Sequence, residues 1–221
     1  MNIYSGKTKI KPFQHKGVFL DISCHCWDNK YSHYFQYIQF LMKKNIVIGI
    51  CGSIAAYKVP SLIRKLQDKN WNIKVIMTQA ATEFITPLTI ETISKNKVYI
   101  DLFKRDEWEI SHISLSEFGN VLLIIPATGN IIGKIAAGIA DDLLSSTVMA
   151  FSGRVIFAPA MNVKMWGNPI VQENVKKLKK LGYKFIGPEK GKLANGTIGE
   201  GRLSDIEKIV EELEKEFTPK E

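Results

Sequence analysis

From Asn45 onward the chain alternates short apolar runs with longer amphipathic ones, and this alternation narrows the possible folds more than any other feature. Ile46–Ile50 and Val121–Ile125 are apolar almost throughout, the pattern of strands covered on both faces. Ile73–Met77, Val98–Leu102, Val155–Ala158 and Tyr183–Ile186 read as four further strands. Between them, Ala55–Lys69 carries Val59, Leu62, Ile63 and Leu66 on one helical face. Ala80–Ser94 reads as helical with an interruption at Pro87. His112–Phe118, Ile131–Ala137, Leu143–Ala150 and Pro169–Leu181 read as helices, the last closed by Gly182. Ser204 stands where it can cap a final helix from Asp205 to about Phe217. Strands alternating with helices predict an α/β fold of Rossmann-like (flavodoxin-like) type. Its parallel sheet carries helices on both faces, in a single domain. Right-handed crossovers bring the carboxyl ends of all such strands to one edge, where ligands bind.

The first part of the chain behaves differently. Residues 1–41 show no sustained period and are expected to be a poorly ordered N-terminal extension to a domain covering 42–221. Cys24, His25 and Cys26 sit together, but no second half-site follows, so no metal site is expected. Three cysteines do not form a disulfide framework. No apolar run approaches the roughly 20 residues of a membrane span, and no signal-peptide layout opens the chain. A cytoplasmic protein without a membrane partner is the expectation. The net charge is +8, with a dense group at Lys176, Lys177, Lys179, Lys180, Lys184, Lys190 and Lys192. That group lacks interleaved aromatics, so it reads as a solvated face rather than a nucleic-acid surface. Attraction of an acidic small molecule is the second reading.

The candidate motifs fall at the predicted strand ends. Gly52-Ser53 follows the first strand, where glycine lets the backbone approach a ligand and serine offers a donor to an anion. The spacing of Gly49 and Gly52 does not match the dinucleotide fingerprint. The second strand ends in Thr78-Gln79, without an acidic residue for a ribose diol. NAD is therefore disfavoured, and a mononucleotide with an open-chain ribityl group, FMN, fits better. Thr78, Thr128 and Asn130 supply neutral hydrogen-bonding groups for phosphate, ribityl or ring, and each also suits a turn or cap. Pro159–Trp166 adds a neutral amide, Asn162, between large apolar side chains, a combination suited to a small carboxylate beside a flat cofactor. Asp141-Asp142 precedes a helix and reads as an N-cap plus a first-turn acid rather than a carboxylate pair for acid/base or metal work.

Taken in order, Gly52–Lys58, Phe84–Leu88, His112-Ile113, Pro126–Asn130, Ala140–Leu144, Pro159–Trp166 and Gly196–Leu203 resemble the homo-oligomeric flavin-containing cysteine decarboxylases. The resemblance covers about Met42 to Glu212. It is strongest to the members that decarboxylate 4'-phospho-N-pantothenoylcysteine in coenzyme A biosynthesis. The resemblance implies FMN held by Gly52, Ser53, Ile54, Thr78, Thr128 and Asn130, with Ala160 beside them. It implies a homotrimer, or a larger assembly of trimers such as a dodecamer, with flavin between subunits. It makes His112 the active-site histidine, Asn162 the holder of the substrate carboxylate and Met165 a further substrate contact. It makes Gly196–Arg202 a clamp over the substrate, with Arg202 and nearby lysines as candidates for the substrate phosphate. A separate synthetase would supply that substrate.

The implied chemistry is oxidation of the thiol carbon to a thioaldehyde, which then accepts the electrons released with carbon dioxide. The resulting ene-thiol is reduced to 4'-phosphopantetheine. One position departs from the pattern. Asn195 stands where the family carries a cysteine that gives the last proton, and an amide is no acid at neutral pH. Two alternatives follow. One is a peptidyl-cysteine decarboxylase that stops at the ene-thiol. The other, of a different class, is a flavin-fold regulatory interaction subunit, whose long acidic tail this sequence does not show.

Overall fold

Six strands pair in parallel: β1 (Asn45–Ile50), β2 (Asn72–Met77), β3 (Val98–Tyr99), β4 (Val121–Ala127), β5 (Arg154–Pro159) and β6 (Lys184–Phe185). Their order across the sheet is β3-β2-β1-β4-β5-β6, the doubly wound arrangement whose direction reverses between β1 and β4. This computed structural model describes residues 44–103 and 111–216. Residues 1–41, with Cys24, His25 and Cys26, lie outside the described residues, as does the expected helix end at Phe217.

Successive residues of a strand point to opposite faces, so each apolar strand feeds two cores. Ile46, Ile48 and Ile50 of β1 pack with Leu62 and Leu66 of α1 (Val59–Asp68) and with Ile209 and Leu213 of a C-terminal helix, Ile206–Lys215. Val47 and Cys51 face the other way. They join helices α3 (Ser111–Phe118), α4 (Gly129–Ala137), α5 (Leu143–Ala150) and, beyond the short helix α6 (Val163–Trp166), α7 (Pro169–Lys180). In register, Ile48 of β1 lies beside Val75 of β2 and Leu123 of β4, so the sheet centre is aliphatic throughout. Burial of so many branched side chains outweighs the cost of ordering the strands that carry them.

Local chemistry moves several expected boundaries. A continuous helix from Ala55 would hold Pro60 in its interior. Instead a 3-10 turn, Ile54–Lys58, comes first, and α1 starts with Pro60 in its first turn, where no N–H is needed. Likewise Gln79–Ala81 is a 3-10 turn, and α2 (Pro87–Ser94) begins at Pro87, capped by Thr86 Oγ1 accepting from the Thr89 N–H. β3 is only two residues long. Gly182, at φ +92°, follows the last residue of α7's cap, as expected. Ser204 does not cap the final helix α8 (Ile206–Lys215). Its hydroxyl is buried without a partner among the described residues, packed against Gly187, and Asp205 holds the cap position. An unanticipated two-stranded antiparallel hairpin, β7 (Glu189–Lys192) and β8 (Ile198–Arg202), stands apart from the main sheet.

Helix α8 closes the domain by charge as well as packing. Lys44 Nζ donates to Glu214 at 2.8 Å, and Trp71 Nε1 donates to the same carboxylate at 2.6 Å. Lys184 Nζ donates to Glu212 and Glu216, each at 2.8 Å. Lys184, and then Lys215, holds Glu212 down from 4.5 to about 2. Glu214 and Glu216 are also lowered. Burial pushes both up, but Lys44 and Trp71 on Glu214, and Lys184 and Arg154 on Glu216, outweigh it. Carboxylates depressed in the folded state stabilise it above their unfolded value, and that contribution disappears as pH falls through the folded value. Stability is therefore expected to decline between pH 4.5 and about 2. Lys184→Met should flatten the decline, at a cost of about 1 kcal/mol near neutrality, since these pairs are partly solvated. Urea midpoints at about pH 6 and about pH 3, for wild type and variant, check this.

Candidate active site at the carboxyl edge of the sheet

The ends of β1, β2, β3, β4 and β5 surround one cavity of about 770 Å³, within the range of small-molecule sites. Its wall takes Cys51, Gly52 and Ser53 from the loop after β1, and Thr78, Gln79 and Ala80 from the loop after β2. Asp101 follows β3, Thr128 and Asn130 follow β4, and Ala160 and Met161 follow β5, with Met165 from α6. Gly52, Ser53, Thr78, Thr128, Asn130, Ala160 and Met165 thus line one cavity, though far apart in sequence. Ile54, His112, Asn162, Asn195, Gly196 and Arg202 lie outside its lining.

Gly52 is required by a close approach. A methyl group there would sit 2.7 Å from the Ala80 Cβ and 2.9 Å from the Ala80 carbonyl, so glycine lets the first two loops meet. Ser53 Oγ accepts from the Ala55 N–H at 3.4 Å, and Thr128 Oγ1 accepts from the Ile131 N–H at 3.4 Å as the cap of α4. Both hydroxyls keep a proton to offer. Thr78 Oγ1 differs, being buried with no hydrogen-bond partner among the described residues. A buried hydroxyl left unpaired at a cavity wall is costly unless a ligand completes it. Cys51 is buried, and burial pushes its thiol up to about 12, so it stays protonated and inert at neutral pH.

One charged cluster on this wall was not anticipated. Lys134 Nζ bonds Asp141 at 2.7 Å and Asp142 at 2.9 Å. Asp142 is the N-cap of α5 in a reciprocal capping box with Ser145, so the cap expected here holds, but the first turn of α5 carries no acid, because Asp141 precedes the cap. Asp141 and then Asp142 raise Lys134. Burial pushes the Asp142 carboxyl up, but Lys134 and Ser145 bring it below its ordinary value. A lysine in the last turn of α4 followed by two acids was the available signal.

Asn162 caps α6, its Oδ1 accepting from the Lys164 N–H at 2.8 Å, and its amide N–H groups have no partner among the described residues. The hairpin docks on this segment. The Met161 N–H donates to the Gly201 carbonyl at 3.0 Å. Gly201 sits at φ +143°, and a side chain there would run into the Met161 carbonyl. At the hairpin tip, Asn195 is exposed and its Oδ1 accepts from the Thr197 N–H at 3.2 Å. Gly196, at φ +83°, completes the turn. Arg202 bonds Glu189 at 3.1 Å and Asp205 at 3.2 Å, at the hairpin base. His112 is half-buried in the first turn of α3, with Nδ1 buried and unpartnered among the described residues.

Residues 36–218 match the Flavoprotein family model. The chain is 49% identical over 178 residues to the coenzyme A biosynthesis bifunctional protein CoaBC of Borreliella burgdorferi, covering 80% of this chain and 46% of that protein. It is 42% identical over 179 residues to the "probable phosphopantothenoylcysteine decarboxylase" of Streptococcus mutans, covering 80% of this chain and 100% of that one. The chain thus spans about half the length of the bifunctional relatives it matches. Among solved structures, the FMN-dependent cysteine decarboxylase SpaF aligns with a TM-score of 0.70 and 31% identity, over 80% of this chain and 98% of that one.

Gly201→Ala is expected to undock the hairpin, because the new Cβ strains the backbone and displaces the Met161 carbonyl. The cost should be about 2–3 kcal/mol, concentrated locally. Hydrogen exchange should show lost protection across 189–202 with the main sheet unaltered.

Proposed function

Because the chain belongs to the Flavoprotein family, we propose that it decarboxylates 4'-phospho-N-pantothenoylcysteine to 4'-phosphopantetheine, with FMN as cofactor, in coenzyme A biosynthesis. The observation that carries this reading is the cavity at the carboxyl edge, with Thr78 Oγ1 buried and unpaired in its wall. The match covers 80% of the chain and the full length of a relative named for this decarboxylation. FMN fits the wall: Gly52 provides close backbone approach, and Ser53, Thr78, Thr128 and Asn130 provide neutral hydrogen-bonding groups without a ribose-diol acid.

When bound, FMN supplies a two-electron acceptor that makes the thiol-bearing carbon electron-poor and later returns the electrons. The remaining work falls to the protein's own residues. The unused amide of Asn162 orients the substrate carboxylate without a full positive charge, so departure of neutral carbon dioxide is not opposed. His112 Nδ1, buried and unpaired, accepts or steers a proton. The hairpin, fixed to Met161, covers the substrate and excludes water. His112 lies outside the cavity lining of a single chain. We therefore place the complete site between subunits of a homotrimer, or of a larger assembly of trimers, working in the cytoplasm. Exposed Tyr57 and Phe103 are apolar surface that such contacts would bury. A synthetase that joins phosphopantothenate to cysteine would supply the substrate.

Asn195 favours a second reading, in which reaction stops at the ene-thiol because the hairpin turn holds no acid. Anaerobic incubation of FMN-loaded protein with 4'-phospho-N-pantothenoylcysteine, followed by mass spectrometry, separates the two. The expected product is lighter by carbon dioxide alone. Loss of carbon dioxide plus two hydrogens would establish the second reading, and unchanged substrate would overturn both. Thr78→Val should weaken FMN binding about tenfold, the effect of losing one buried hydrogen bond. Flavin fluorescence titration measures it. Light scattering of the loaded protein should give a multiple of three times the 25.0 kDa chain mass.

A further inference from the structure

We propose that Lys134, Asp141 and Asp142 act on the bound flavin as a fixed charge cluster that disfavours its reduced form and so drives return of electrons to the ene-thiol. The inference rests on the proposed decarboxylase reading and deepens it by naming residues that set the cofactor's reducing power.

The charges on the cavity wall are few. Among the described residues, its titratable lining groups are Cys51, Asp101, Lys134, Asp141 and Asp142. Cys51 is held protonated by burial. Three carboxylates therefore face one ammonium, and the wall carries an excess of negative charge. Lys134 pairs with two of the three, Asp141 at 2.7 Å and Asp142 at 2.9 Å, so the cluster itself keeps one unbalanced negative charge.

The fold fixes the cluster in place. Gly138, at φ +74°, ends α4 and turns the chain back, so that Asp141 and Asp142 meet a lysine seven and eight positions earlier. Asp142 Oδ1 accepts from the Ser145 N–H at 2.8 Å and from Ser145 Oγ at 2.9 Å, while Oδ2 accepts from Lys134. A carboxylate held at both oxygens cannot swing away when charge develops nearby, so its field is preorganised. The Lys134 and Asp142 side chains are 22% and 31% exposed, which removes much of the screening by water. Their field reaches across the wall to the end of β1. Burial dominates the rise of the Cys51 thiol and the Thr128 backbone opposes it, and then Asp142 adds to the rise and Lys134 subtracts from it. A cavity of about 770 Å³ is on the order of 10 Å across, about one screening length at 0.1 M salt, so a flavin filling it feels the cluster.

Charge sets the direction of the effect. The oxidised flavin ring is neutral, and the two-electron-reduced ring carries a negative charge at neutral pH. A net negative wall therefore raises the energy of the reduced ring more than that of the oxidised one, and makes it the stronger donor. Two electrons and one proton pass as hydride to the thiol-bearing carbon of the ene-thiol. Water supplies a second proton to the neighbouring carbon, the double bond becomes single and oxidised FMN is restored. Asn195 offers no acid, so completion relies on this driving force. The same excess of negative charge repels the FMN phosphate, which leaves the ring as the cluster's neighbour.

Midpoint potentials of the FMN-loaded protein, measured anaerobically against reference dyes, test this without turnover. Asp142→Asn removes one negative charge and keeps the cap, since asparagine caps helices as well as aspartate does. It should shift the reduction equilibrium about tenfold toward reduced FMN, a rise of about 30 mV for a two-electron couple. Asp141→Asn should act in the same direction by less, because Asp141 is 58% exposed. Lys134→Gln removes the cation and should lower the potential. Asp68→Asn, exposed at the far end of α1, should leave it unchanged. Opposite signs for the acid and base variants are a signature that loosening of the α4–α5 connection would not give. In an anaerobic single turnover of 4'-phospho-N-pantothenoylcysteine, Asp142→Asn should also raise the fraction of ene-thiol. Equal potentials in all these proteins, or shifts of one sign for Asp142→Asn and Lys134→Gln, would overturn the inference and leave the decarboxylase reading standing. A wild type that binds no FMN, or binds it and leaves the substrate unchanged, would instead overturn the reading on which the inference rests.

Discussion

Parallel pairing of β1 between β2 and β4 is the constraint on which the rest of the molecule depends. β1 is buried along its whole length and touches both cores, one through Ile46, Ile48 and Ile50 and the other through Val47, with Cys51 just past its end joining the second core. Parallel neighbours require crossover helices, and those helices must cover both faces because every central residue is apolar. The carboxyl ends of β1, β2, β4 and β5 then share one edge. The cavity is where the sheet direction reverses between β1 and β4, and two sets of helices diverge.

The loops at that edge are held by backbone approach more than by side-chain bonds. Gly52 lets the first loop meet Ala80, and Gly201 lets the hairpin meet Met161. Both contacts leave the polar side chains nearby free for other work. Thr78 keeps an unpaired hydroxyl, Asn162 keeps its amide N–H groups, and His112 keeps Nδ1. Under the proposed function, these groups, without partners among the described residues, are the ones a bound ligand completes. Arg202, Asp142 and Cys51 go the other way. Arg202 Nη2 and Asp142 are spent on ion pairs and a cap, although Arg202 Nε is buried without a partner among the described residues, and Cys51 is neutralised by burial.

Much of the fold was legible because apolar runs of strand length and amphipathic helices have distinct periods. The strand runs at Ile46–Ile50, Ile73–Met77, Val121–Ile125 and Val155–Ala158 all fall within observed strands. Boundaries were less legible where proline intervened. Pro60 and Pro87 mark helix starts rather than interiors, since each removes an N–H that only the first turn can spare. The hairpin at 189–202 leaves no strand signal in the sequence, because its glycines suppress any apolar alternation. Its strands are set by backbone pairing and by docking on α6, which leave little trace in side-chain pattern.

Sequence alone determined the α/β class, the edge on which ligands bind and the residue types offered there, because burial on two faces and strand polarity are local consequences of composition and chirality. Only the tertiary structure decided which of those residues meet. It joined Gly52, Thr78, Thr128 and Ala160 in one wall and added Lys134 with its two carboxylates. It also committed Nη2 of Arg202 to Glu189 and Asp205. Whether a charge is free or spent depends on neighbours distant in the chain, and only folding brings those neighbours into contact.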